Sequence, residues 1–335
     1  MSKLTELTTE YKELGIQNQI DYNKLYLYSI ITHSTAVEGS TVTEIENRLL
    51  FDEGITPDKP LEEQLMNLDL KSAYEKALAY AREHRDYSVA LLRELAGLVM
   101  KNTGSEYKTP IGNFNSAVGD LRLLNVTAGR GGKSYMSYQK VPQRLDDFCK
   151  WLNDQRKKLV NGNIEGIYEL SFLAHYNLVY IHPWADGNGR MARLVMNMIQ
   201  HEFGTIPSIV RREHRKEYIE SLATSQESGD NAAFMKFMFN EHERNIEIDI
   251  ENYKKSINDD TLNLKNDTLN DTLKLSEKEQ LVFEIIKSNV NISIAEIVTE
   301  TGFSRPTVTR SIESLKKKQL LERAGAKKNG HWITR

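Results

Sequence analysis

The sequence predicts a mainly α-helical chain with one β-hairpin and a second, smaller domain at its carboxyl end. Apolar residues recur with helical spacing over most of the first 257 residues, and the 335 residues include only 7 prolines. A stretch rich in Gly, Asn and Ser interrupts this pattern at residues 111–140. The charge balance changes sign near residue 274, and the chain exceeds the roughly 250–300 residues that one hydrophobic core usually organises.

Composition excludes several classes of protein. The chain carries 44 Lys and Arg against 47 Asp and Glu, a formal net charge of -3, so it is not uniformly basic. Its single cysteine, Cys149, cannot form an internal disulfide, which excludes a disulfide scaffold and favours a reducing compartment. No apolar run reaches the ~18 residues of a membrane span, and the first residues lack a secretory signal. We therefore expect a cytoplasmic protein without a membrane partner.

The helical pattern begins in an amino-terminal region, residues 1–105. The first clear helix starts with the apolar run KLYLYSIIT, spans about residues 24–39 and ends at Glu38 and Gly39. Further amphipathic segments follow at 43–54, 61–84 and 88–101.

The region 106–257 contains the predicted hairpin and the largest helices. Two short strand-like runs, LRLLNV (121–126) and SYMSY (134–138), flank a glycine-rich turn and predict the hairpin. Helical periodicity then resumes, and the predicted segments are 142–160, 163–181, 189–204, 211–226 and 230–257.

A polar segment separates this region from the carboxyl-terminal domain. Residues 258–273 repeat Asp-Thr-Leu, lack aromatic residues and have no wide apolar face, so we interpret them as a linker. The alternative interpretation is a short solvated helix. Residues 274–335 carry 12 Lys and Arg against 7 Glu, a net +5, whereas the preceding 273 residues carry -8. This asymmetry predicts two modules with different partners.

Residues 274–335 resemble a winged helix-turn-helix. Capping boxes start two helices, at Ser276 and Ser293, and Pro306 lies in the first turn of a third. Two strand-like runs around AKKNG predict a hairpin. The resemblance implies a DNA contact through residues 304–318, and binding to a protein, or assembly alone, is the alternative. The side chains that would face DNA are Arg305, Thr307, Thr309, Arg310, Lys316–Lys318, Lys327 and Lys328.

The segment from His182 to Arg193, HPWADGNGRMAR, lies between two apolar helical runs. Pro183 ends the first helix because the residue before a proline is disfavoured in the α region. The Gly187-Asn188-Gly189 turn lets the backbone approach a ligand closely. The first backbone N–H groups of the next helix are unpaired and, together with the helix dipole, predict an anion site.

The charged side chains of the same segment suit phosphate chemistry. Arg190 and Arg193 lie three residues apart and share one helix face, and guanidinium groups match phosphate oxygens. Asp186 offers a carboxylate for Mg²⁺ bridged to phosphates, and His182 can act as a general base near neutral pH. The alternative interpretation is a polar turn between helices, but the density of these residue types within one turn favours a catalytic loop.

This segment resembles the signature of the Fic (filamentation-induced-by-cAMP) family, His-x-Phe-x-Asp/Glu-Gly-Asn-Gly-Arg-x-x-Arg, and departs from it only at Trp184. The resemblance covers about residues 20–250 and implies a helical core with a hairpin flap. It implies transfer of AMP from ATP to a hydroxyl side chain of a target protein. His182 would deprotonate the hydroxyl, Asp186 would bind Mg²⁺ and Arg193 would reach the γ-phosphate. The α- and β-phosphates would contact Gly187, Asn188, Gly189 and Arg190.

The same resemblance implies an inhibitory element. The motif from Ser34 through Glu38 to Gly39 resembles the inhibitory motif of family members that carry it on an amino-terminal helix. Glu38 would pair with Arg193 and block the productive position of the γ-phosphate. Ser34 would hold the inhibitory helix in place by a hydrogen bond.

The resemblance also implies partners and leaves alternatives open. The hairpin at about 121–138 would dock the protein substrate by strand addition, and Tyr218 would line the adenine base. Self-association is common in the family. Removal of AMP at the same site, a different nucleotide or a phosphocholine-type donor, and a DNA-binding regulator with a nucleotide-sensing Fic core are the alternatives.

Overall fold

The computed structural model describes residues 2–128, 134–159, 163–266, 276–290, 292–317, 320–324 and 331–334. These residues form two compact units, Met1–Ser256 and Ile257–Arg335. The helices that begin in the first unit are α1 (Lys3–Glu13), α2 (Tyr22–Val37), α3 (Glu44–Glu53), α4 (Leu61–Arg82), α5 (Val89–Val99), α6 (Val141–Lys158), α7 (Ile164–Ile181), α8 (Asn188–Glu202), α9 (Arg215–Ser228) and α10 (Ala232–Asn266).

Helices α7 and α8 form the centre of the first unit. They are consecutive, and the turn between them holds the signature segment. Every residue of α8 from Arg190 to Gln200 is buried, so other parts of the chain surround this helix on all sides. Helices α4, α5 and α2 pack around α8, and α6 packs against α7. The two ends of the signature turn are therefore fixed by the best-packed part of the core.

Helix α2 brings the predicted inhibitory motif to this centre. It packs against α3, α4 and α8, and its whole carboxyl-terminal half, from Ile30 to Val37, is buried. Glu38 is its terminal cap, and Gly39 follows with a positive φ of 112°. Helix α3 begins with a capping box between Thr43 and Glu46.

The β-hairpin lies earlier in the chain than the sequence predicts. Strands β1 (Glu106–Thr109) and β2 (Gly112–Asn115) pair antiparallel. The predicted strands 121–126 and 134–138 are wrong, because neither forms a regular strand and a single bridge joins Thr127 to Ser134. We call the described residues 121–128 and 134–138 the docking loop. Residues 129–133, the predicted turn, lie outside the described residues.

Helix α10 extends into the segment for which a linker is predicted. It runs to Asn266, well beyond the predicted helix end at 257. Residues 258–266 are therefore helical, and the linker stays a prediction for the segment as a whole. Residues 267–273, the rest of that segment, lie outside the described part of the chain.

The second unit has three helices and a two-stranded sheet among its described residues beyond 275. These are α11 (Glu277–Ser288), α12 (Ile294–Thr301), α13 (Arg305–Lys317), β3 (Leu321–Ala324) and β4 (His331–Thr334), with β3 and β4 antiparallel. Both predicted capping boxes form, at Ser276 and Ser293. A separate small core includes Val282, Ile297 and Trp332. Arg305 and Arg310 are exposed on α13, whereas Lys318, Lys327 and Lys328 lie outside the residues that the structure describes.

Within the described residues, no helix combines the length and the apolar character that crossing a membrane would require.

Candidate active site

The turn between α7 and α8 holds His182 in a strained backbone conformation. His182 caps α7 with φ 51° and ψ 63°, in the left-handed region that non-glycine residues rarely adopt. Its backbone N–H still donates to Leu178 at 3.0 Å, so the chain leaves the helix within one residue. The sequence places a proline immediately afterwards, as expected for a sharp helix end.

The imidazole of His182 is neutral and arranged as a proton acceptor. Its Nδ1 lies 3.4 Å from the carbonyl oxygen of Val179, which can only accept, so Nδ1 carries the proton and Nε2 keeps its lone pair. Burial, with a smaller effect from the charge of Arg122, lowers the pKa of His182 to about 4 against the opposing effects of Val179, Asp186 and Glu38. The ring of Tyr135 stacks on the imidazole, with centroids 3.7 Å apart.

The amino terminus of α8 has no side-chain cap. Gly187 occupies the cap position with φ 79°, and a Cβ there would lie 2.8 Å from Sδ of Met100. The first N–H groups of α8 are therefore available to an anion, as the sequence predicts.

Asn188 has a structural task in this turn. Its Oδ1 accepts from the backbone N–H of Trp184 at 3.0 Å, and its Nδ2 donates to the carbonyl of Trp184 at 2.9 Å. Trp184 is 1% exposed and donates through Nε1 to Gly119 at 3.2 Å. The side chain of Asn188 thus closes the turn, and only its backbone N–H remains for a phosphate.

Arg190 and Arg193 are both buried, and they differ in their partners. Arg190 donates to the carbonyl of Val99 at 3.3 Å, and its Nε has no hydrogen-bond partner among the described residues. Its Nη2 lies 3.8 Å from the Asp186 carboxylate. A buried cation with unused donors fits an anionic ligand.

Most hydrogen bonds of Arg193 go to helix α2 and its cap residue. Its Nε donates to Oγ of Ser34 at 2.9 Å, its Nη2 donates to the carbonyl of Ser34 at 2.9 Å, and Nη2 also donates to Oε1 of Glu38 at 2.5 Å. The side chain of Arg193 is 3% exposed and that of Glu38 is 35% exposed. Burial alone would raise the pKa of Glu38, but Arg193 and the nearby Arg190 and Arg215 outweigh it and lower that pKa.

The Glu38 carboxylate lies directly against the start of α8. A Cβ built on Gly189 would be 2.5 Å from Oε1 of Glu38 and 3.1 Å from Nη1 of Arg193. The absence of a side chain at Gly189 therefore permits this approach. An anion from the chain itself lies where the sequence predicts a bound anion. Gly39, which follows, borders open space, since a Cβ built on it would meet nothing within 4 Å among the described residues other than its chain neighbours.

Asp186 faces outward from the turn. Its side chain is 64% exposed, and its Oδ1 accepts from the N–H of Gly187 at 2.6 Å. One carboxylate oxygen thus fixes the turn and the other points toward Arg190. The described residues contain no cluster of three or more His, Cys, Asp or Glu side chains that could hold a metal.

Tyr218, predicted to line the adenine base, is 2% exposed and faces the core. Its hydroxyl lies 2.9 Å from Nε2 of His175 and accepts from Nη1 of Arg193 at 3.4 Å. Its ring also packs against Phe234. The structure therefore connects Tyr218 to Arg193 more directly than to an open base-binding surface.

Arg122 is the functional residue that the sequence interpretation missed. It is 1% exposed, and its Nε donates to the backbone carbonyl of His182 at 2.8 Å. A single arginine within an apolar run gives no signal of a site, because its partner lies 60 positions away in sequence. Only the fold brings the two together.

Residues 86–200 match the model of the Fic/DOC family. The matched range includes the signature turn and the helices on both sides of it. The chain contains a Fic domain.

Particular relatives agree with that assignment. The protein adenylyltransferase fic-1 of Caenorhabditis elegans is 30% identical over 267 residues, which cover 79% of this chain and 47% of that protein. The chain thus spans about half the length of the curated relatives it matches. The structure of Fic-1 from C. elegans aligns with a TM-score of 0.58 at 25% identity, covering 76% of this chain and 72% of that one. A Fic domain containing signaling protein from Bacteroides thetaiotaomicron gives a TM-score of 0.63 at 21% identity over 76% of this chain and 97% of that one, a likeness of fold.

Proposed function

We propose that the chain is a protein adenylyltransferase, which transfers AMP from ATP to a hydroxyl side chain of a target protein. The observation that carries this proposal is the arrangement of the signature turn. A neutral, half-buried His182, whose Nε2 has no hydrogen bond to the described residues, precedes an uncapped helix terminus that is flanked by the buried Arg190 and Arg193. The curated relatives named protein adenylyltransferase support the same reaction for this site.

The reaction needs one base and a cradle for the triphosphate. The target hydroxyl gives its proton to Nε2 of His182 while its oxygen attacks the α-phosphorus of ATP. The bond from the α-phosphorus to the bridging oxygen breaks, and pyrophosphate leaves with the electron pair. Such transfers depend mainly on positioning and charge stabilisation. The N–H groups that start α8, together with Arg190 and Arg193, supply both.

The residues of the turn fit Mg²⁺ as a companion of ATP. Mg²⁺ commonly binds one or two protein carboxylates and completes its shell with phosphate oxygens and water. Asp186 is an exposed carboxylate with one oxygen not committed to the backbone, so a larger protein cluster is not required. When bound, Mg²⁺ would neutralise charge on the phosphates, and Asp186 is the residue that would hold it.

We propose that Glu38 inhibits the enzyme from within the chain. Its carboxylate pairs with Arg193 at 2.5 Å and lies against Gly189, at the start of the helix where phosphate would bind. Ser34 reinforces this arrangement through two hydrogen bonds with Arg193. The γ-phosphate can reach Arg193 productively only after the carboxylate has moved.

We propose that the target protein docks on the docking loop, beside His182. The loop borders a cavity of about 650 Å³, whose walls include Tyr135, Arg144, Trp151 and Tyr180. Because Tyr135 also stacks on His182, a segment of the target in this cavity would lie next to the base. The loop lacks regular strands, so side-chain contacts in the cavity support docking more than strand addition does.

For the second unit we propose DNA binding through α13. Arg305 and Arg310 are exposed on this helix, and three helices with a hairpin are an arrangement that places one helix in a major groove. A nitrocellulose filter assay at two salt concentrations, with Arg305→Ala beside the full chain, would measure this contact. Absence of DNA affinity would overturn this proposal and leave protein binding, or assembly alone, as the alternative.

Intact-protein mass spectrometry with ATP and MgCl2 tests the transferase. The proteins are the natural chain, Glu38→Gly, and Glu38→Gly combined with His182→Ala. We expect Glu38→Gly to gain one or more AMP units by self-modification, the natural chain to gain fewer, and the double variant to gain none. Parallel incubations with GTP and CDP-choline test the donor.

The chain offers a matched control for the base. His84 also follows a helix with φ 51°, and its side chain is 69% exposed and has no part in the signature turn. Glu38→Gly combined with His84→Ala should modify itself like Glu38→Gly alone. Modification that survives His182→Ala would contradict the assignment of the base, and no modification in Glu38→Gly would favour removal of AMP at this site.

A further inference from the structure

Arg122 is a buried cation whose hydrogen bonds end on backbone carbonyls. Its side chain is fully buried, and no carboxylate lies within ion-pair distance among the residues that the structure describes. A buried charge without an ionic partner is costly unless its donors are satisfied. Each of the three guanidinium nitrogens of Arg122 donates to a carbonyl oxygen, and the three carbonyls belong to separate stretches of backbone.

These acceptors connect the docking loop to the catalytic turn. Nη1 donates to Leu124 at 2.7 Å and Nη2 donates to Met136, so the guanidinium joins both branches of the loop. Nε donates to the carbonyl of His182 at 2.8 Å, and the backbone N–H of Arg122 donates to Pro183 at 3.1 Å. One residue therefore fixes the loop and the strained turn against each other.

The loop returns to His182 from its other side. Tyr135 precedes the Met136 carbonyl that Arg122 holds, and its N–H donates to Val126 at 3.0 Å across the loop. Its ring stacks on the imidazole of His182. Arg122 thus bonds the backbone of the base directly, and it bonds the residue that follows the ring covering the base.

We propose that Arg122 is a positioning residue, which fixes the docking loop against the catalytic turn and thereby orients His182 toward the target hydroxyl. This inference rests on the proposed transferase. Among the described residues Arg122 makes no hydrogen bond to those assigned to phosphate, so it acts on the transfer step and the target rather than on ATP. Its charge also lies beside the imidazole and lowers the pKa of His182.

The test uses Arg122→Lys and Arg122→Met in the full chain that carries Glu38→Gly. Misplacing a reacting group by about 1 Å costs on the order of 100-fold in rate. We expect both variants to lose at least about tenfold in the rate of self-modification at saturating ATP, while the Kd for ATP changes less than about twofold. Self-modification by the Glu38→Gly parent shows that the transferase activity is present. A failure of the Arg122 proposal can therefore be told apart from a failure of the proposed function.

The pH profile separates positioning from a merely structural role. Arg122→Lys keeps the charge, so the acid limb of its rate profile should stay where the parent has it. Arg122→Met removes the charge, so the pKa of His182 should rise and the acid limb should move to higher pH. A loss of rate without this difference between the two variants would overturn the assignment.

Arg93, on α5, supplies a matched control because its partners lie just before the docking loop. It donates through Nε to Gly119 at 3.3 Å and pairs with Asp120 at 2.5 Å, but does not reach His182. Arg93→Met should keep the parental rate and pH profile. Equal losses in Arg93→Met and Arg122→Met would overturn the proposal. If Arg122→Met does not fold, Arg122→Lys alone is compared with the parent. A loss of rate without a loss of thermal stability supports the proposal, and a parental rate overturns it.

Discussion

Removing the charge of Glu38 should destabilise the first unit and make it more responsive to ATP. The variant is Glu38→Gln, which keeps the size of the side chain. The carboxylate contacts Arg193 at 2.5 Å, and no second carboxylate pairs with that guanidinium among the described residues. Ser34 still accepts two of its hydrogen bonds.

The expected magnitude follows from the burial of the two partners. Exposed pairs contribute up to about 1 kcal/mol, and breaking a fully buried pair costs about 3–5 kcal/mol. Arg193 is buried and the Glu38 side chain is 35% exposed, so solvent screens the pair in part and we expect a loss of about 2 kcal/mol. For a unit of this size the loss corresponds to a decrease in Tm of roughly 4–8 °C.

ATP should restore this stability, because its phosphates replace the lost negative charge beside Arg193. A ligand at roughly 100 times its Kd adds about 2.7 kcal/mol to folding stability. Differential scanning fluorimetry with and without ATP and MgCl2 measures both effects. We expect ATP to raise the Tm of Glu38→Gln by more than it raises that of the natural chain.

The control is Glu44→Gln on the neighbouring helix. Glu44 lies 3.4 Å from His33 and its side chain is 51% exposed, so its loss should change Tm little and leave the ATP response as in the natural chain. The reasoning is refuted if Glu38→Gln melts like the natural chain, or if ATP stabilises the two proteins equally.

Two further predictions concern the histidine base and its neighbourhood. Because burial lowers the pKa of His182 to about 4, the rate of Glu38→Gly should stay flat from neutral pH down to about pH 5, and a limb near about 6.5 would contradict this. Tyr218→Phe in the same background should raise the KM for ATP several-fold, because Arg193 loses its described hydrogen-bond acceptor outside the α2 segment. A phenylalanine ring can still stack on adenine, so an unchanged KM would instead support the prediction that Tyr218 lines the adenine base.

Local signals in the sequence predict much of the site. Pro183 after an apolar helix and the glycines at 187 and 189 predict the turn, because their effects act on adjacent residues. The same holds for the capping boxes at Ser276 and Ser293, whose partners lie three residues away. The signature turn and the start of α8 were therefore predictable from sequence alone.

The docking loop shows why the rest was not. The runs 121–126 and 134–138 have the composition of strands, but the carbonyls of Leu124 and Met136 accept from the guanidinium of Arg122. A tertiary contact thus replaces the ladder that the local pattern predicts. Tyr218 illustrates the same limit, since its neighbour His175 comes from another helix and directs its hydroxyl inward.

The backbone of His182 has a left-handed conformation that is unfavourable for most residues with a Cβ. A left-handed conformation costs a residue with a Cβ roughly 1–2 kcal/mol, and glycine or asparagine would adopt it more easily. The chain nevertheless has histidine there, held from one side by Arg122 and adjoined on the other by the Asn188–Trp184 pair. His84 has the same φ of 51° outside the site, so the conformation alone does not mark a catalytic residue. What distinguishes His182 is that the bond from Arg122 holds this conformation next to the start of α8, so the strain is kept where the chemistry is proposed.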